Sequence, residues 1–159
     1  MNQNKESPRK PQEGLFTAIS VGFTLLLLGT LFVTTPNLFG SIIDFFKDLG
    51  LVDVPNTDII FIGPESLDLH MTVYTAVGQL SIAVALFEFV MLALRFVIPS
   101  SWAKRSETAG NLVYWTGAAF LVQAFLIDSQ HWFVFWSAII IVVGVSLIAR
   151  AAVNAISRI

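Results

Sequence analysis

Four long apolar runs set the pattern of this chain, near 15–35, 71–98, 109–127 and 132–149. An α-helix needs about 20 residues to cross a ~30 Å hydrocarbon core. With their flanks the runs meet that length, which predicts spans at about 14–35, 67–98, 107–127 and 132–156. Short polar segments separate them. Pro36 stops the first span, SSWAKRS at 100–106 reads as a loop, and Asp128-Ser129-Gln130-His131 reads as a tight connection. Short connections favour antiparallel neighbours. The expected fold class is an all-α integral membrane protein, a four-transmembrane-helix up-down bundle.

A different pattern fills residues 37–66, between the first two spans. Leu38, Phe39, Ile42, Ile43, Phe45, Phe46 and Leu49 recur at helical spacing, with Ser41, Asp44, Lys47 and Asp48 on the other side. A segment this short cannot span. It predicts an amphipathic helix over 38–49 lying in the interface plane. Asn37 is its expected N-cap and Gly50 its expected end. Beyond it, LVDV and DIIFI flank Pro-Asn-Thr and can pair as a small hairpin.

Residues 1–13 are polar and Pro-containing, and are expected to be a disordered tail, with 157–159 a short C-terminal end. A signal peptide is the competing reading of the first 35 residues. The apolar stretch from Leu15 to Val33 is too long for a usual signal core, and no Ala-x-Ala-like site follows it.

Composition agrees with a membrane assignment. Hydrophobic residues make up 55% of the 159 positions and charged ones 13%, against roughly 25% charged in soluble proteins. A soluble fold of this size could not hide so much apolar surface. The chain has no cysteine, which excludes disulfides, thiolate metal sites and iron–sulfur ligation. No Gly-rich phosphate loop and no basic nucleic-acid surface occurs, so the expected partner is the lipid bilayer and not a nucleic acid.

The charges are sorted along the chain. Lys5, Arg9, Lys10, Arg95, Lys104, Arg105, Arg150 and Arg158 fall on one side of the four-span layout, and Lys47 alone on the other. The positive-inside rule then predicts a multi-pass protein of the cell membrane with both termini cytoplasmic. Each span also repeats small residues at seven-residue spacing: Gly22 and Gly29, Gly78 and Ala85, Gly110, Gly117 and Ala124, then Ser137, Gly144 and Ala151. Such seams let membrane helices approach closely.

Candidate chemistry is concentrated in the second span. Tyr74, Ser81, Glu88 and Arg95 are seven residues apart and form one line down the helix. Glu88 lies near the midplane, where a charge costs about 3 kcal/mol on insertion scales, so the line is expected to face a partner or cavity. Thr17, Ser20 and Thr24 in the first span, with Thr116 in the third, are the expected hydrogen-bonding partners. The four-span size resembles that of the small multidrug transporters, which use one membrane glutamate; theirs lies in the first helix and this one in the second.

The two histidines, His70 and His131, both map to the outer face, near Asp68 and Asp128. If their helices are adjacent, these four could form a zinc or copper site, or the histidines could bind haem. No Ser/His/Asp set, nucleophile elbow or paired-carboxylate site can be assembled, so neither catalysis nor a cofactor is expected. The expected function is that of a structural or accessory subunit, a homo-oligomer or part of a larger membrane complex, acting through helix–helix association. A proton-coupled small transporter using Glu88 is the alternative. An outer-face metal or haem binder through His70 and His131 is the second.

Overall fold

The structure, a computed structural model, describes residues 9–98 and 100–156. The first eight residues of the expected 1–13 tail, Pro99 and the C-terminal 157–159 lie outside the described residues. The chain is helical, with four helices long and apolar enough to cross a membrane. Five α-helices occur among the described residues: α1 (Arg9–Thr34), α2 (Leu38–Lys47), α3 (Met71–Val97), α4 (Trp102–Leu121) and α5 (Trp132–Ile156). A 3-10 turn, Leu67–His70, leads into α3, and a π-helical segment, Val122–Ile127, prolongs α4.

Several boundaries differ from expectation. Helix α1 is described from Arg9, so the residues from 9 to 13, expected in the tail, are helical. Helix α4 begins at Trp102, inside the expected loop. Ser101 caps it, its hydroxyl accepting the N–H of Lys104 at 3.3 Å. Lys104 then pairs with Glu107 at 2.7 Å, so the first turn is charged rather than apolar and escapes a hydropathy reading.

Asn37 is not a side-chain cap. It adopts a left-handed conformation, φ 51°, and makes no side-chain cap bond. Its amide instead fills the space that a Cβ at Gly40 would need. Helix α2 ends two residues early, at Lys47, and the N–H of its C-cap residue Asp48 donates to the carbonyl of Asp44. Gly50 belongs to a strand and does not cap the helix.

The loop after α2 is the expected hairpin, so the helical fold contains one small antiparallel sheet. Strand β1 (Leu49–Asp53) pairs with β2 (Ile60–Pro64), placing Leu51 opposite Ile62 and Asp53 opposite Ile60. Strand alternation turns Leu51, Ile60 and Ile62 to one face and Val52, Phe61 and Gly63 to the other. The second face packs on the start of α5. Phe61 meets Phe133 edge-on at 6.1 Å, and the Trp132 indole N–H donates to the carbonyl of Ile62 at 3.1 Å.

The main buried cluster lies at this hairpin end: Tyr74, Leu121, Val122, Leu126 and Phe135. A second joins Leu31, Leu38 and Ala76, tying α1 and α2 to α3. Along their lengths α1 packs on α3, α3 on α4, and α4 on α5. Phe23 stacks on Phe87 with ring centroids 4.1 Å apart, joining α1 to α3.

The small-residue seams differ in what faces them, and Gly78 on α3 is in ordinary contact, a Cβ there lying 3.4 Å from Val122. Gly117 and Gly110 on α4 are close-packed against α5. A Cβ at Gly117 would lie 2.7 Å from Val142, and one at Gly110 would lie 3.1 Å from the carbonyl of Ser146. The expected seams on α1 and α5 are not packed. Among the described residues nothing lies within 4 Å of a Cβ built at Gly22, Gly29 or Gly144, and α5 meets α4 through Val142, Ser146 and Arg150 instead. Seven-residue spacing marks a face, but only an opposing helix makes it a contact. Gly117→Leu should therefore cost about 1–3 kcal/mol by overpacking, while Gly144→Leu should be close to neutral. Thermal melting of both variants in detergent checks this.

Candidate functional site

The line Tyr74–Ser81–Glu88–Arg95 turns inward along its whole length, but its members enter different surroundings. Tyr74 is buried in the hairpin-end cluster, and its hydroxyl has no hydrogen-bond partner among the described residues. The Ser81 hydroxyl donates to the carbonyl of Val77 at 2.8 Å, one turn back on the same helix. Arg95 is also buried. Its guanidinium lies 4.7 Å from the Phe16 ring centroid and donates to the Ser100 hydroxyl at 3.0 Å.

Glu88 is half-buried and opens into a polar crevice of about 240 Å³ between α1, α3 and α4. Thr17, Ser20, Glu107, Asn111 and Arg95 help to line it. Of the partners expected from sequence, Thr17 and Ser20 reach this crevice. Thr24 is exposed, with its hydroxyl on the carbonyl of Ser20, and Thr116 is exposed outside the lining.

The hydrogen-bond partner of Glu88 is Asn111, whose amide donates to Oε1 at 3.3 Å. Sequence reading missed it because it started this helix at Glu107, leaving Asn111 near a boundary. With α4 starting at Trp102, Asn111 lies nine residues inside α4, and Glu88 lies nine residues inside the end of α3. Equal arms on either side of a short connection bring the two level. An Asn amide can donate to a carboxylate, and its oxygen can accept from a carboxylic acid. The contact is therefore compatible with either protonation state of Glu88. The Lys104–Glu107 pair lies at the same crevice, so its walls carry both signs of charge.

The hairpin end holds a second polar cluster. His70 is buried, and its Nε2 lies 2.8 Å from Asp48 Oδ2. The same oxygen accepts the N–H of Ser66 at 2.9 Å, while the carbonyl of Asp48 accepts the N–H of Glu65 at 3.1 Å. One residue thus joins the end of α2, the exit from β2 and the entry to α3. Asp48 lies 22 positions from His70, a separation that no local motif spans.

The expected metal set is not assembled. His70 turns to Asp48, His131 is exposed, and Asp128 accepts the Gln123 amide at 2.8 Å. Asp68 is exposed on the 3-10 turn. Among the described residues, no three His, Asp or Glu side chains are placed to hold a metal ion. Comparison with protein-family models, with curated proteins and with solved structures gives no match.

Hydrogen bonds from His70 first, and from the Ser66 backbone second, hold the Asp48 carboxyl below its ordinary 3.8. A carboxyl depressed on folding stabilises the folded state above its unfolded value and loses that contribution as pH falls through its folded value. The stability gap between wild type and Asp48→Asn should therefore be full at neutral pH. It should begin to close below about pH 4 and vanish at still lower pH. Melting of the two proteins across pH 2–7 measures it.

Proposed function

We propose that the chain is a non-catalytic structural or accessory subunit of the cell membrane, acting through helix–helix association as a homo-oligomer or within a larger complex. In this reading the four long helices run up and down through the bilayer with both termini cytoplasmic. Helix α2 lies as an amphipathic segment in the opposite interface. The lipid bilayer and other membrane helices are the partners, and nucleic acid is not.

The observation that carries this reading is the open row of helices. Helix α1 packs along α3, and the glycines Gly22 and Gly29 on α1 and Gly144 on α5 face open space. Small residues allow close approach of a further helix, and packing drives association where lipid supplies no hydrophobic force. In native mass spectrometry from mild detergent the protein should appear as a homo-oligomer or with a stoichiometric partner. Replacing both Gly22 and Gly29 by Leu should shift it to the monomer without lowering its own melting temperature. A wild-type protein found only as monomer overturns the reading.

The Glu88 crevice favours a second reading, proton-coupled transport of a small solute. A half-buried carboxyl held by a neutral amide can exchange a proton without breaking an ion pair. The two readings separate on Glu88. If the carboxyl is structural, Glu88→Gln should fold and assemble like wild type, and Glu88→Leu should remove the α3–α4 bond to Asn111 and lower the melting temperature. If it handles protons, Glu88→Gln should abolish any pH-gradient-driven uptake in vesicles while melting normally.

A further inference from the structure

The hairpin carries an apolar face that nothing among the described residues covers. Leu51, Ile60 and Ile62 share one side of the sheet and are 76%, 61% and 59% exposed. The other side is already spent on α5, through Phe61 on Phe133 and Gly63 on Trp132. Helix α2 repeats this division. Leu38, Ile42 and Phe45 pack inward, while Phe39, Ile43 and Phe46 are exposed one turn apart along its other side.

The depth of these elements indicates what covers them. The hairpin and α2 lie beside the first turns of the long helices. Phe45 meets Tyr74, one turn into α3, edge-on at 6.2 Å. Phe46, Phe61 and Ile62 line one cleft together with Trp132 and Trp136, the latter a full turn into α5. The free face therefore continues the exposed apolar surface of the spans at the level of an interfacial tryptophan pair. Charge is confined to one end of this face: Asp53 shares it, opposite Ile60 at the turn end, and Asp58 lies in the turn beyond, while Leu51 and Ile62 pair nearer the spans.

We propose that the free face of the β1–β2 hairpin is a lipid-docking surface, seated side-on in the headgroup–acyl boundary and continuous with the exposed side of α2. Backbone chemistry sets the depth. A two-stranded sheet has two unpaired edges, which the hydrocarbon core cannot satisfy. Its aliphatic side chains are equally unsuited to bulk water. The boundary layer accommodates both, with edges among water and headgroups and side chains among the upper acyl carbons. The proposal rests on the reading that the four long helices cross the membrane.

The chain has no cysteine, so single nitroxide labels can be placed without background. The test uses Ile60→Cys and Leu51→Cys for the free face, Ile140→Cys for the middle of α5 and Lys47→Cys for the charged side of α2. Each labelled protein is reconstituted in phosphatidylcholine vesicles, and its collisions with oxygen and with a water-soluble nickel complex are compared. At Ile60 and Leu51 the oxygen-to-nickel ratio should lie between those at Ile140 and Lys47. A ratio equal to that at Lys47, with Ile140 still lipid-like, overturns the hairpin proposal and leaves the spans intact. A water-like value at Ile140 as well removes the membrane-spanning reading and the proposal with it. Loss of collisions with both reagents at Ile60 and Leu51 would mean protein covers the face, and also overturns the proposal. Two labelled positions on opposite strands guard against local disturbance by either label.

Discussion

A backbone N–H or C=O without a partner costs several kcal/mol in hydrocarbon, and the layout of this chain is compatible with that constraint. The four long apolar segments are helices, which satisfy their own backbone. The strands are confined to the connection between α1 and α3. Where α4 reaches its end, the helix widens to a π-helical segment and does not unravel. The N–H of Asp128 bonds the carbonyl of Gln123 at 2.9 Å, five residues back, and that of His131 bonds the carbonyl of Phe125 at 2.6 Å. The segment keeps its backbone paired while Val122 and Leu126 pack in the main buried cluster.

Helix α4 is the element on which the packing depends. It contacts α3 on one side and α5 on the other, and its glycines allow the second approach. Helix α1 is held more lightly, by the Phe23–Phe87 stack, by Arg95 over Phe16 and by Leu31 in the small cluster near Leu38. A helix attached along one neighbour can exchange lipid contacts for helix contacts at little cost. The association reading draws on this feature.

The two polar clusters serve different ends of the molecule. At the hairpin end, Asp48 and His70 fasten α2 and the sheet to the start of α3. The elements there depend on one another: Trp132 holds Ile62, Phe45 packs on His70 and Tyr74, and Gly50 leaves room for the Glu65 side chain. At the other end, Glu88 and Asn111 face a crevice rather than an interior. The first cluster has the character of a fastening. The second leaves a titratable group within reach of solvent and between three helices.

The sequence by itself determined the four long helices, the short helix after Pro36 and the pairing across Pro-Asn-Thr, because hydropathy period and turn chemistry are local properties. It also determined that Tyr74, Ser81, Glu88 and Arg95 share a line, since seven residues make nearly two whole turns. Only the tertiary structure decided what that line meets. Asn111 became the partner of Glu88 through the true start of α4, which a Ser cap and a charged turn concealed from hydropathy. His70 turned from a candidate metal ligand into the partner of Asp48, across a hairpin whose closure brings distant positions together. The glycine seams were equally legible on every span, yet those of α4 press tightly on α5, Gly78 on α3 makes ordinary contact with Val122 and Ile127, and those of α1 and α5 meet no described neighbour. Periodicity fixes which residues share a face of a helix, and the rotation and neighbours of that helix decide whether the face meets protein, water or lipid.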